Sequence, residues 1–361
     1  MMIFLLIFIV LIIGFFAFVD GNMTYDRKSL RLIQAAHMIE KQFKLEDRTV
    51  INYGEGPDNG PALLLIHGQQ VSWQDYANVL GTLSKKYHVF AVDCYGHCKS
   101  SKNIAKYSAL ANGQDVILFI KQVIKQPVLL SGHSSGGLLA TWVAANEPDL
   151  VKGVLIEDAP FFSTESGRAQ STFAWLGFKD MHDFLTSGQK NYTRYFLDHT
   201  YLEHAFGKEN FYKIVKKPAL NYLKKHPNKI PRIWYYPPFL GVNTIYDLTA
   251  NLQDGTGDYD LRFGVTFYDF SWLQDFNQEE ALKKVQCPST FLHTAPPSHL
   301  KGYYDDKGIL LSAMDDKDAK RVHELLKDNV LIDKLKSGHD IHQDLPDIFV
   351  KAIDDLAKRN K

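Results

Sequence analysis

The chain has 361 residues, 45% of them hydrophobic, enough to bury one large core with an insertion or two domains and to exclude a disordered polar chain. Its 41 basic and 41 acidic residues cancel to a formal net charge of zero, so no global field draws it to nucleic acid. The three cysteines, Cys94, Cys98 and Cys287, are an odd, scattered set that suits ordinary thiols, not a disulfide framework or a four-ligand zinc site.

Met1 to Val19 is almost wholly apolar, with no charge before Asp20. At about 1.5 Å per residue its length matches a hydrocarbon layer of ~30 Å. A cleavable signal has a basic start and small residues before the cut. This segment has no Lys or Arg and exits through Phe18-Val19-Asp20. The reading is an uncleaved single-pass membrane anchor over residues 1–20, with a secreted protein the outcome if it is cleaved. Arg27, Lys28 and Arg31 follow it, which by the positive-inside rule puts the rest of the chain on the cytoplasmic side. Asn22-Met23-Thr24 and Asn191-Tyr192-Thr193 match a glycosylation pattern that counts only in a secretory route.

Leu30 to Phe43 spaces its apolar residues by three and four, predicting a linker helix within residues 21–48. Thr49 to Tyr53 then starts a sheet, and the polar turn 54–61 leads to the strand 62–66. The runs 88–93, 127–130, 153–156, 289–292 and 329–332 repeat an apolar signature without polar alternation, as in strands buried on both faces. Helical stretches at about 73–86, 107–125, 135–146, 315–327 and 346–358 lie between or after them. That alternation predicts an α/β fold with a mostly parallel sheet flanked by helices, whose carboxyl edge collects Gln69, Asp93, Ser134, Asp158 and His339.

The stretch 160–282 breaks the alternation. It is rich in Phe, Tyr and Trp and helical in short pieces such as 193–205 and 211–225, predicting a helical cap inserted into a core of residues 49–159 and 283–361. Most of its aromatics read as the cap's own core, with some left to line an apolar pocket. The acidic turn Asp254 to Asp260 lacks the ligand spacing of a calcium loop and reads as solvated.

The chemistry centres on Val128-Leu129-Leu130-Ser131-Gly132-His133-Ser134-Ser135-Gly136-Gly137, a strand that breaks into a glycine-flanked serine and continues as a helix. Such a turn strains its apex residue and leaves no room for side chains two positions before and after it. Upstream, Ala62 to Ile66 ends in His67-Gly68-Gln69, and near the C-terminus stands Ser337-Gly338-His339-Asp340. With these three motifs the chain, over roughly residues 45–360, resembles the capped, esterase-like members of the α/β-hydrolase superfamily.

The resemblance implies Ser134 as nucleophile and His339 as its base, with His342 the rival. The oxyanion donors would be the backbone N–H groups of Ser135 and Gln69. His133 reads as a packing residue and Asp93 as a brace for the loop after it. The acid is taken as Asp158 at the tip of the 153–156 strand, with Asp305 and Asp306 the alternatives, because the usual position after the 289–292 strand runs into Thr294-Ala295-Pro296-Pro297. No cofactor is implied. A metal at His339, Asp340 and His342 lacks a third familiar ligand.

Epoxide or haloalkane chemistry on this fold would need an aspartate where Ser134 stands. The expected substrate is a small apolar or amphiphilic carboxylic ester. Acyl transfer, thioester, lactone or carbon–carbon bond hydrolysis stay open, as does a non-catalytic binding protein, which the missing acid would favour.

Overall fold

The computed structural model describes residues 2–23, 25–227, 231, 252–253, 258–297 and 301–359. Among the described residues ten strands form in chain order: β1 (Ile39–Lys44), β2 (Val50–Glu55), β3 (Ala62–Ile66), β4 (His88–Val92), β5 (Val128–His133), β6 (Val151–Glu157), β7 (Leu252–Gln253), β8 (Tyr259–Asp260), β9 (Ser289–Thr294) and β10 (Asn329–Leu335). Eight of them make one sheet in the order β1-β2-β4-β3-β5-β6-β9-β10, while β7 and β8 pair separately. The β1–β2 and β2–β4 pairs are antiparallel and every other pair of the large sheet is parallel.

The apolar runs explain the layering. Alternate residues of a strand face opposite sides, and in β3 both sides are covered. Leu64 and Ile66 join the cluster that holds Phe119, Leu138 and Val143. Leu63 and Leu65 join the one that holds Val79, Leu83, Phe349 and Ile353. Helices Ala109–Phe119 and Ser135–Asn146 thus cover one face, and Ala77–Leu83 and Pro346–Lys358 the other.

One predicted element is corrected. The helix Tyr25–Ala35 stops short, His37 turns into the left-handed region at φ 55°, and residues 39–44 form the edge strand β1 instead of continuing a linker helix over 21–48. Ile39 and Phe43 lie four apart, a spacing that suits a helical face and a strand face equally, so periodicity could not decide. The open hydrogen bonds of β2 did.

A helix covers Met2–Met23, and its window Ile3–Asp20 is long and apolar enough to cross a membrane, with none of that window buried against the rest of the chain. The triplet Asn22-Met23-Thr24 lies outside the residues whose side chains are described, as do residues 254–257 of the acidic turn. Asn191 of the second triplet caps the helix Tyr192–His199, accepting from the Arg194 N–H at 2.8 Å.

Within 160–282 the described residues form short helices, among them Phe173–Ser187, Tyr192–His199, Lys217–Lys225 and Leu261–Tyr268. Phe178, Met181, Phe184, Phe267 and Trp272 are buried among them. Hydrogen bonds latch this layer to the sheet's carboxyl edge. The Asp260 N–H donates to the Gly96 carbonyl at 2.7 Å, the Tyr107 hydroxyl to Asp260 at 2.8 Å, and the Tyr259 hydroxyl to Oε1 of Gln69 at 2.7 Å. Gly96 adopts φ 79°, and a Cβ there would fall 2.9 Å from Cβ of Phe263, so the crossing needs glycine.

Candidate active site

β5 ends at His133, and the helix Ser135–Asn146 begins two residues later. Ser134 makes the turn with φ 53° and ψ −124°, a conformation that costs a non-glycine residue ~1–3 kcal/mol. Its N–H donates to the Glu157 carbonyl at 2.9 Å, pinning the turn to the end of β6. The flanking glycines are forced by contact. A Cβ on Gly132 would lie 2.2 Å from the Gly136 carbonyl oxygen, and one on Gly136 would lie 2.4 Å from the oxygens of Ile66 and His67. Because those neighbours are backbone, they cannot swing aside. Gly136→Ala is therefore expected to destabilise the fold by about 1–3 kcal/mol, as overpacking does, and a thermal melt of the variant against the parent chain checks it.

His339 and Asp158 meet in a hydrogen bond. Asp158 follows β6 in the left-handed region at φ 40°, with its N–H on the Leu292 carbonyl at 2.9 Å. Its buried carboxylate accepts from Nδ1 of His339 at 2.8 Å. Burial would lower the His339 pKa, but the bond to Asp158 and its charge outweigh that and carry it up to about 9. Burial alone would raise the Asp158 carboxyl; His293 and His339 instead hold it well below the usual carboxylate range. The ring of His339 keeps 42% of its surface exposed, and such exposure leaves room for a reacting group to approach.

The residues at the tip of β9 bear on Asp158. His293 Nδ1 lies 3.4 Å from Oδ1 of Asp158, and the N–H and hydroxyl of Thr294 lie 3.4 Å from the same carboxylate. The tip of β9 thus sets a histidine and a threonine against the Asp158 carboxylate. Asp305 and Asp306, the alternative acids, are not brought to His339. Asp305 accepts from the Tyr201 hydroxyl at 2.5 Å and from the N–H groups of Lys307 and Ile309. Asp306 accepts from Nε2 of His204 at 2.7 Å. Their loop closes on itself and on the helix Leu202–Phe206, so neither carboxylate is free to reach the imidazole.

His342, the rival base, has both ring nitrogens engaged by buried carboxylates. Nδ1 lies 2.9 Å from Glu157 and Nε2 3.1 Å from Asp75. His133 is buried with its ring 4.6 Å from that of His339, and its Nε2 lies 3.2 Å from the His339 carbonyl. Burial, with His339 adding to it, pulls His133 down to about 4, so it packs as a neutral ring. Asp93 braces its surroundings through the Trp73 N–H and Nδ2 of Asn52, both at 2.8 Å, and through its own carbonyl, which accepts from Ser100 Oγ at 2.7 Å.

The loop after β3 closes the site. A Cβ on Gly68 would fall 2.9 Å from Cβ of Ser134, so only glycine lets this loop pass the serine. Its shape is locked by two neutral imidazoles. The Cys94 N–H donates to Nε2 of His67 at 3.0 Å, which leaves Nδ1–H for the Gly68 carbonyl at 2.5 Å. The Gln70 N–H donates to Nε2 of His97 at 3.0 Å. Ser135 opens its helix, and the first N–H groups of a helix have no intrahelical acceptor. The Gln69 side chain is held by the Tyr259 hydroxyl, which donates to its Oε1 at 2.7 Å.

Among the described residues two groups bring three metal-type donors within reach of one another, Asp75 with His133 and His342, and His204 with Asp305 and Asp306. In each group an imidazole nitrogen already bonds a carboxylate of the same group. Neither includes His339, so the His339, Asp340 and His342 grouping considered from the sequence does not form.

Comparison with known proteins agrees with this architecture. A family profile described as alpha/beta hydrolase fold matches residues 61–189. Over 135 residues the chain is 32% identical to the (E)-2-((N-methylformamido)methylene)succinate hydrolase of Acinetobacter baylyi, a match that takes in 36% of this chain and 49% of that protein. The chain spans about half the length of the curated relatives it matches first, at 49% and 48%. Among solved structures, a membrane phospholipase A described as a bacterial virulence factor superposes with a TM-score of 0.56 at 19% identity, over 99% of this chain and 98% of its own. An E-2-(acetamidomethylene)succinate hydrolase superposes with a TM-score of 0.58 at 19% identity, over 89% and 100%.

Proposed function

We propose that this chain, which has the α/β-hydrolase fold, is a serine hydrolase that cleaves carboxylic esters through an acyl-enzyme on Ser134. The observation that carries the reading is the 2.8 Å bond between Nδ1 of His339 and Asp158, formed with the His339 ring 4.6 Å from that of His133, which directly precedes the strained Ser134. Serine is a weak nucleophile at neutral pH and needs such a base.

In this mechanism Nε2 of His339 takes the Ser134 Oγ proton as Oγ attacks the ester carbonyl. Asp158 accepts the Nδ1–H bond, which fixes the tautomer and stabilises the imidazolium. The N–H groups of Gln69 and Ser135 receive the oxyanion; one such donor is typically worth ~3 kcal/mol in the transition state. The imidazolium then returns the proton to the departing alkoxide, and a water deprotonated by the same nitrogen releases the acid and frees Ser134.

The cap over the carboxyl edge, latched through Tyr259 and Asp260, suits apolar acyl or alcohol groups. The exposed apolar helix Ile3–Asp20 supports a membrane-anchored enzyme that draws amphiphilic esters from the bilayer. The scaffold reading rested on a missing acid, and the carboxylate on His339 removes that support.

A serine-directed fluorophosphonate tests the reading on the full chain in detergent, with short and long p-nitrophenyl esters alongside. Stoichiometric labelling of Ser134 together with ester turnover is expected. Labelling without turnover would move the substrate to another acyl class, such as a thioester or lactone. No labelling at all would return the chain to a binding role.

A further inference from the structure

Glu157 and Asp158 are consecutive carboxylates at the end of β6, and both are fully buried. Asp158 is matched by His339. Glu157 is matched by His342, three residues further on, which receives it twice. The His342 N–H donates to Oε1 at 2.7 Å, and Nδ1 lies 2.9 and 3.0 Å from the two carboxylate oxygens. The other ring nitrogen meets Oδ2 of Asp75 at 3.1 Å. An ionised carboxylate can only accept, so a ring flanked by two of them carries a proton on each nitrogen. Burial would drive that proton off, but Glu157 and Asp75 reverse it and push the imidazole well above its ordinary range. The rings of Tyr76 and Phe349, centred 4.5 and 5.8 Å away, wall the imidazolium in.

The three groups come from different chain segments, and each segment carries part of the proposed machinery. Asp75 lies in the turn Trp73–Tyr76 that follows the Gly68–Gln69 loop. Glu157 directly precedes Asp158, and its carbonyl holds the Ser134 N–H. His342 lies in the turn Ile341–Asp344 that follows His339. Gln343 adds a second bond from that turn to Asp75.

We infer that His342 is a positioning residue, a buried cation that ties the oxyanion loop, the elbow and the loop of His339 into one register. The inference rests on the serine-hydrolase reading. It differs from a merely stabilising clamp because slack in this tie displaces the base from the nucleophile. A displacement of ~1 Å at such a distance from the chemistry can cost ~100-fold in rate.

The test uses the full-length chain with His342→Gln and Asp75→Asn, the second being nearly isosteric and removing the outer carboxylate charge together with one of its two accepting oxygens. Reactive Ser134 is counted by end-point fluorophosphonate titration, and kcat per titrated site and KM are measured on p-nitrophenyl butyrate. The expected result is kcat per site lowered ~30- to 100-fold in His342→Gln and ~10-fold in Asp75→Asn, with KM within about 3-fold of the parent. If His342→Gln does not fold, Asp75→Asn decides alone. Values of kcat per site within about 3-fold of the parent, with only the melting temperature lowered, overturn the inference and leave a structural clamp. A parent chain that neither labels nor turns over ester removes the serine-hydrolase reading and this inference with it.

Discussion

Alanine at position 134 is expected to lower kcat for ester hydrolysis by ~10⁴- to 10⁶-fold, because triad members act as a unit and loss of the nucleophile removes the covalent route. Alanine at His339 is expected to do the same, and the double variant to be no worse than either single one. Stability should respond differently. Ser134 is held at φ 53°, a conformation that suits glycine better than any side chain. Ser134→Gly should therefore melt at or above the parent temperature while being as inactive as the alanine variant. Hydrolysis of a p-nitrophenyl ester and a thermal melt on the same preparations read both quantities. Retention of more than about 1% of turnover by Ser134→Ala would place the nucleophile elsewhere.

The elbow was legible because its glycines and serine fall at a fixed spacing within five residues. A side chain on Gly132 would meet the elbow's own helix at 2.2 Å, and one on Gly136 would meet Ile66 and His67 at the end of β3 at 2.4 Å. The parallel sheet was legible for a similar reason, since runs such as Ala62 to Ile66 leave no polar face to expose. The edge strand β1 was not, because Ile39 and Phe43 fit both periods and the pairing partner lies beyond a turn.

The acid was harder still. Asp158, Asp305 and Asp306 differ in which histidine each one meets, and that depends on contacts across more than a hundred positions of chain. A signal did exist in the pairing of Glu157-Asp158 with His339 and His342. Two consecutive acids closing an apolar strand must each find a partner, and two histidines at a spacing of three can supply them. His293 gave no such sign, being one of four polar residues in the strand Ser289–Thr294, where a buried histidine is most simply a packing residue.

Asp158→Asn separates the acid candidates and carries a pH signature with a definite sign. Its kcat is expected to fall ~10⁴-fold, the loss seen when a triad imidazole keeps its place but not its tautomer. Asp305→Asn and Asp306→Asn, whose carboxylates bond Tyr201 and His204, should stay within about 2-fold of the parent. In the parent chain Asp158 raises His339 to about 9, and only the neutral imidazole can accept the serine proton. The kcat/KM profile should therefore keep rising through neutral pH. Asparagine removes the charge that favours the imidazolium, so the acid limb of the residual activity should move to lower pH.

Stability follows the same pair with its own sign. The raised His339 pKa stabilises the fold fully below its unfolded value of about 6.5, and the depressed Asp158 pKa does so above about 4. The contribution of the pair is thus complete between those values, fades as pH rises toward 9, and fades again as Asp158 protonates at low pH. Melting temperatures from pH 5 to 9 should fall more steeply for the parent than for Asp158→Asn over the alkaline half of that range. An acid limb that stays in place in Asp158→Asn and moves in Asp305→Asn would assign the triad carboxylate to the other loop.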